Sequence, residues 1–165
     1  MIWLRFVHIV AGAVWVGSAV FMAAFLLPAV RAAGGDGSRL LGRLMQRTRP
    51  AFGLAMLLTV VSGLIMYGRL SAGFNLAWVR SRPGLALAAG AVATIAAVVI
   101  GAGGNGPAGA KMAAIRKSLG AQGGMPTPAQ TAELASLTAR SGRAGQVAAG
   151  LLVVAVAAMA VARYL

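Results

Sequence analysis

The chain has 165 residues, 59% of them hydrophobic and only 10% charged, with no cysteine. A soluble domain of this size carries about 25% charged residues and cannot hide so much apolar surface, so lipid is the expected solvent. The formal net charge of +13 comes from 15 Lys and Arg against Asp36 and Glu133. These cations flank apolar runs and form no single stripe, which excludes a nucleic-acid face and reads as a membrane topology signal. Without cysteine there are no disulfides, thiolate metal sites, iron–sulfur clusters or CxxCH haem attachment.

Four stretches free of Asp, Glu, Lys and Arg are long enough to span a bilayer: Phe6–Val30, Pro50–Gly68, Pro83–Ala110 and Ala144–Ala162. They predict an all-α bundle of four transmembrane helices, one integral membrane domain over 1–165, with helices at about 3–30, 38–70, 83–119 and 128–164. The first run is too long for the apolar region of a signal peptide and its basic flank is thin, so it reads as a retained helix.

The loop after the first span holds Arg31, Arg39, Arg43, Arg47 and Arg49; the loop after the third holds Lys111, Arg116, Lys117, Arg140 and Arg143. The other side carries half as many: Arg5, Arg69, Arg80, Arg82 and Arg163. The positive-inside rule places the richer side in the cytoplasm of a bacterial inner-membrane protein, with both termini outside. Trp3, Tyr67, Phe74, Trp78 and Tyr164 then gather at the outer boundary as an aromatic belt.

Asp36 or Ser38 is placed to cap a helix running through Leu40, Leu41, Leu44 and Met45 into the second span, with Pro50 as a kink site. Thr127, Pro128 and Gln130 spell a capping box with proline at the first helical position. The third helix is expected to continue to about Leu119, turn over Gly120–Pro126 and return, making a hairpin that projects into the cytoplasm. Ala89, Ala93, Ala97 and Gly101, with Ala86 and Gly90, form a ladder of small residues that lets helix backbones approach in lipid.

Gly101, Gly103 and Gly106 spell GxGxxG, but no strand precedes them and Glu133 is too distant to serve a dinucleotide. They read as a tightly packed helix segment around Asn105 and Pro107. Hydrolytic constellations are absent, since both carboxylates lie in loops; Ser18, Thr59 and Ser62 are expected to bond helix backbones.

His8 is the single histidine. Gly12, Trp15, Ala19 and Met22 follow it on one helical face. An ionisable side chain within a span is a functional candidate by default: its imidazole can ligate haem iron or copper, or hydrogen-bond a neighbouring helix. The helix order brings Met66 and Met159 to the level of His8 as candidate second ligands, with Met56 deeper. The candidate cofactor site is therefore His8, Gly12, Trp15, Met66 and Met159, with haem b, copper or no cofactor all open. Methionine elsewhere reads as core filler.

The stretch His8, Gly12, Trp15, Gly17, Phe21 resembles the first helix of the copper resistance protein D-like superfamily of small membrane proteins, and is similar to the same region of HemJ-type protoporphyrinogen oxidases. Pro50, Thr59 and Gly63 fit the same pattern, so the resemblance covers roughly residues 4–68. It implies a membrane protein of four to eight helices in which the first-helix histidine serves haem b or copper, and it carries over to His8 alone. The third helix lacks the histidine and Asn-Glu motif of the HemJ type, and no Met/His-rich outer segment of a copper importer is present. Three readings remain: a haem b or copper protein of electron transfer or metal handling, a non-catalytic accessory subunit of a larger membrane complex, and a homo-oligomer in the form of a homodimer that shares a cofactor between two His8 residues.

Overall fold

The computed structural model describes the backbone of residues 1–122 and 125–165, and the side chains of all of these except 35, 36, 38, 39, 105, 121 and 122. Among the described residues the chain is helical, without strands. Helix α1 (Ile2–Phe21) passes through a π-helical turn (Met22–Leu26) into α2 (Leu27–Ala32). Then come α3 (Gly34–Leu70), a short α4 (Leu76–Val79), α5 (Arg82–Gln122) and α6 (Pro128–Val161), closed by a 3-10 turn (Ala162–Tyr164). Among the described residues four helices are long and apolar enough to cross a membrane: Ile2–Ala32, Leu40–Leu70, Arg82–Gly120 and Pro128–Tyr164.

The burial pattern is the inverse of a soluble core. Buried apolar positions are almost all alanine: Ala11, Ala55, Ala93, Ala97, Ala148, Ala149 and Ala155, with Leu152 the one large side chain among them. Phe6, Ile9, Phe21, Phe25, Leu57, Val92, Val99 and Val154 point outward. Small residues inside and large ones outside is the arrangement for a bilayer, where lipid tails solvate Leu and Phe and helices associate by close backbone approach.

The π turn has a local cause. Pro28 has no N–H to donate and its ring would press on the preceding turn. One wider turn relieves this, and Leu27 N–H bonds to Met22 O, five residues back. Pro50 and Pro107, by contrast, lie inside α3 and α5 without ending them. The residues 101–106 of the GxGxxG spelling are helical throughout, so they form no phosphate-binding loop.

The start of α3 differs from the sequence reading. The helix begins at Gly34, capped by Ala33 with no side-chain bond, so residues 36 and 38 are already within it and do not start it. Gly34 at φ +64° makes the break between α2 and α3, a left-handed position that disfavours other residues. The side chains of Asp36, Ser38, Arg39 and Asn105 lie outside the described residues, as do residues 123 and 124 of the turn. At α6 the capping box is present: Thr127 Oγ1 accepts from Gln130 N–H at 3.2 Å, and Gln130 Oε1 accepts from Thr127 N–H at 2.9 Å.

Helices α5 and α6 are the most extensively packed pair, followed by α1 with α3. Both pairs are antiparallel: Gly90 meets Met159, Gly101 meets Ala148 and Gly104 meets Ala144 across the first, and Gly12 and Gly63 meet Thr59 and His8 across the second. Trp15, Val16 and Ala19 of α1 pack on the Ala97–Ala148–Leu152 cluster and join the two pairs. At 41 and 34 residues, α5 and α6 are about 60 and 50 Å long, well beyond a hydrocarbon core of about 30 Å.

The small-residue ladder is used with one change. Ala93 and Ala97 are buried at 8% and 3% exposure, but Ala89 is exposed and Gly90 takes its place. A step of four residues drifts about 40° around a helix, whereas a step of seven returns within about 20° of the start. Gly90 therefore shares the face of Ala97.

At the end of α3, Tyr67 packs against Phe74 and Trp78, with ring centroids 5.9 and 5.6 Å away. Asn75 caps α4 by accepting from Ala77 and Trp78 N–H. Ser71, 0% exposed, accepts from Phe74 N–H at 2.9 Å and anchors the turn.

Candidate functional site

His8 stands two turns into α1 and is half-buried against α3. Its Nδ1 lies 2.9 Å from the carbonyl oxygen of Thr59 and 3.1 Å from Ser62 Oγ. A carbonyl oxygen only accepts, so Nδ1 carries the proton and donates. Ser62 gives its own hydrogen to the carbonyl of Leu58 and therefore offers Nδ1 a lone pair. In the neutral ring this leaves the electron pair on Nε2, which has no hydrogen-bond partner among the described residues.

A helical carbonyl is already bonded along its own helix, and reaching its second lone pair needs an uncovered backbone. Gly63, four residues beyond Thr59, supplies the opening. A Cβ there would come within 2.9 Å of His8 Cε1 and 3.3 Å of Nδ1. One turn further along α1, Gly12 brings the helices together over Thr59; a Cβ on Gly12 would stand 3.6 Å from Thr59 Cγ2. Thr59 Oγ1 itself bonds back to Ala55 O at 2.7 Å, so it is the Thr59 backbone and not its hydroxyl that holds His8.

Trp15, two turns from His8, lies against Ala97, Ala148 and Leu152, where α1 meets the α5–α6 pair. Seven residues of rise, about 10 Å, separate the levels of Trp15 and His8 and equally those of Leu152 and Met159 on antiparallel α6. Met159 thus stands near the level of His8, and its side chain rests on Gly90 of α5: a Cβ there would be 3.1 Å from Met159 Cγ. Met66 is half-buried, three residues beyond Gly63 on α3. The groups seen bonded to or packed on the imidazole are Thr59, Ser62 and Gly63. Thr59 and Ser62 were visible in the sequence as backbone-bonding hydroxyls; the role of Gly63 as the floor under His8 was not, because it depends on which helix faces α1.

No group of three or more His, Cys, Asp or Glu side chains that could hold a metal ion occurs among the described residues. A copper ion held by nitrogen and carboxylate donors of one chain does not fit this arrangement. Haem makes a smaller demand, since the porphyrin supplies four of the iron's ligands and one imidazole nitrogen completes a five-coordinate centre. A single histidine with Nδ1–H anchored on a carbonyl and Nε2 open meets that demand.

Two cavities stand elsewhere. One, of about 140 Å³, lies between the π turn and α3 and is lined by Ser18, Phe21, Met22, Leu44, Met45 and Phe52 among others. The second, of about 770 Å³, lies between the end of α2 and the extended parts of α5 and α6. No family model matches the chain, and neither a curated protein nor a solved structure matches it.

Proposed function

We propose that the chain is a multi-pass protein of a bacterial inner membrane, with both termini outside and the α5–α6 hairpin in the cytoplasm, in which His8 holds haem b through Nε2 for electron transfer. One observation carries the reading: the imidazole is fixed in the tautomer and orientation that a metal-ligating histidine needs, with Nδ1–H on a backbone carbonyl and Nε2 free. Haem is favoured over copper because, among the described residues, no group of three His, Cys, Asp or Glu side chains gathers at His8. Bound there, haem would supply one-electron chemistry. The chain's own contribution is to orient the ring nitrogen through Thr59, Ser62 and Gly63 and to surround it with apolar helix. His8 is not among the residues lining either of the cavities described above. Met66 and Met159 are the sequence-identified candidates for a second ligand.

A second reading is favoured by the closeness of Gly63 to the imidazole. His8 is then an interhelical clamp, and the chain is a non-catalytic accessory subunit of a membrane complex. Protein purified in mild detergent decides between them by its absorption spectrum and iron content. Under the first reading the preparation shows a Soret band, and both His8→Ala and His8→Gln abolish it while the helical circular dichroism persists. A colourless, iron-free preparation overturns it. The clamp reading expects that colourless protein, with His8→Ala lowering the thermal midpoint and His8→Gln, which keeps an N–H donor, recovering part of the loss.

A further inference from the structure

The larger cavity has a composition that helix packing does not require. Three guanidinium groups reach it from three helices: Arg31 from α2, Arg116 from α5 and Arg143 from α6. Thr131, Thr138 and Gln146 add polar atoms, and among the described residues no carboxylate lines it. Gly142 makes room for one of them, and Gly42 lies in ordinary contact with another. Arg31 Nη2 lies over Gly142, 2.5 Å from where a Cβ would stand, and Arg116 Nη1 lies 3.8 Å from the corresponding point on Gly42 of α3. Like charges brought together without a counter-charge repel, and an anion with several acceptor oxygens removes the repulsion by forming charge-assisted bonds to two or three forks at once.

The position of the cavity says which anion. Arg31 directly follows the first apolar run, and Arg143 directly precedes the last one, Ala144–Ala162. Both therefore stand at the boundary where hydrocarbon gives way to headgroups, the level at which lipid phosphates lie. At about 770 Å³ the cavity is far larger than a bare phosphate ion and is partly walled by Leu134, Ala135 and Ala139. The geometry points to a binding site for the phosphodiester headgroup of an anionic phospholipid, held between α2, α5 and α6 by Arg31, Arg116 and Arg143. This site is separate from His8 and stands whether or not haem is bound there.

The test uses the full chain in nanodiscs of phosphatidylcholine doped with phosphatidylglycerol or cardiolipin, with native mass spectrometry of the lipid retained after release. Wild type retains the anionic lipid. The triple variant Arg31→Gln, Arg116→Gln, Arg143→Gln loses about a hundredfold in affinity, at about fivefold per guanidinium. A control removes the same charge from the same end outside the cavity: Lys111→Gln, Lys117→Gln, Arg140→Gln retains the lipid to within about fivefold. Equal loss in the two triples means a general surface potential and overturns the site, as does retention in both. If the first triple lacks the helical dichroism of wild type, Arg143→Gln alone must show the fivefold loss, and unchanged retention in it overturns the proposal. Millimolar inorganic phosphate should leave the lipid in place; complete displacement by phosphate assigns the cavity to a soluble anion and overturns the lipid.

Discussion

The two helix seams of this protein solve one problem differently. Between α5 and α6 the contact is made by Gly90, Ala93, Ala97, Gly101, Gly104, Ala148 and Ala155, and the Thr138–Met112 side-chain hydrogen bond across this pair lies beyond them. Between α1 and α3 the helices are also close, at Gly12 and Gly63, but there His8 sends a polar bond across to Thr59 and Ser62. In lipid no hydrophobic effect drives helices together, so each seam depends on dispersion and on hydrogen bonds made where water cannot compete. The alanine seam uses many weak contacts, and its failure mode is steric. The histidine seam concentrates its specificity in one side chain and leaves one ring nitrogen unspent.

The sharpest way to break this contrast is to overfill the alanine seam. Ala97, 3% exposed, faces Ala148 and Leu152. Ala97→Leu should cost about 3 kcal/mol, the upper end for inserting methylenes into a packed core, and should lower the thermal midpoint of the detergent-solubilised protein most. Unchanged melting would mean that α5 and α6 separate freely. A smaller effect is expected from Gly63→Ala, whose methyl would push the imidazole off the Thr59 carbonyl. The expected loss is about 1–2 kcal/mol, combining overpacking with an interhelical bond of about 0.6 kcal/mol. It should come with the loss of any Soret band, since the ring would no longer be oriented; a full-strength band in this variant would remove Gly63 from the site. The smallest effect belongs to Thr59→Val. It deletes only the hydroxyl bond to Ala55 and keeps both the carbonyl that holds His8 and the methyl beside Gly12. A change under about 0.5 kcal/mol is expected in a melting experiment, and a larger one would show that the hydroxyl and not the backbone orients the seam.

Much of the fold was legible because lipid imposes a simple pattern. Runs of apolar residues without charges mark α1, α3, α5 and α6, and the capping box at Thr127 needs only four consecutive residues to be recognised. Local features that depend on backbone rearrangement were less visible. The π turn before Pro28 and the early start of α3 at Gly34 replaced a plain helix and an Asp36 or Ser38 cap. The lone histidine drew attention by its rarity. Nothing in its own neighbourhood along the chain, however, tells which carbonyl takes its proton.

By itself the sequence marked four apolar spans, the helical class and the one histidine within them. These follow from composition and periodicity, which act locally along the chain. Only the tertiary structure decided what faces what: that Gly63 opens the Thr59 carbonyl to His8, that Gly90 replaces Ala89 in the seam, and that Arg31, Arg116 and Arg143 share one cavity. Those juxtapositions join residues far apart in the chain, 51 positions for His8 and Thr59, and are set by helix register and crossing. Two helices of the same composition can meet on several faces, and packing selects one.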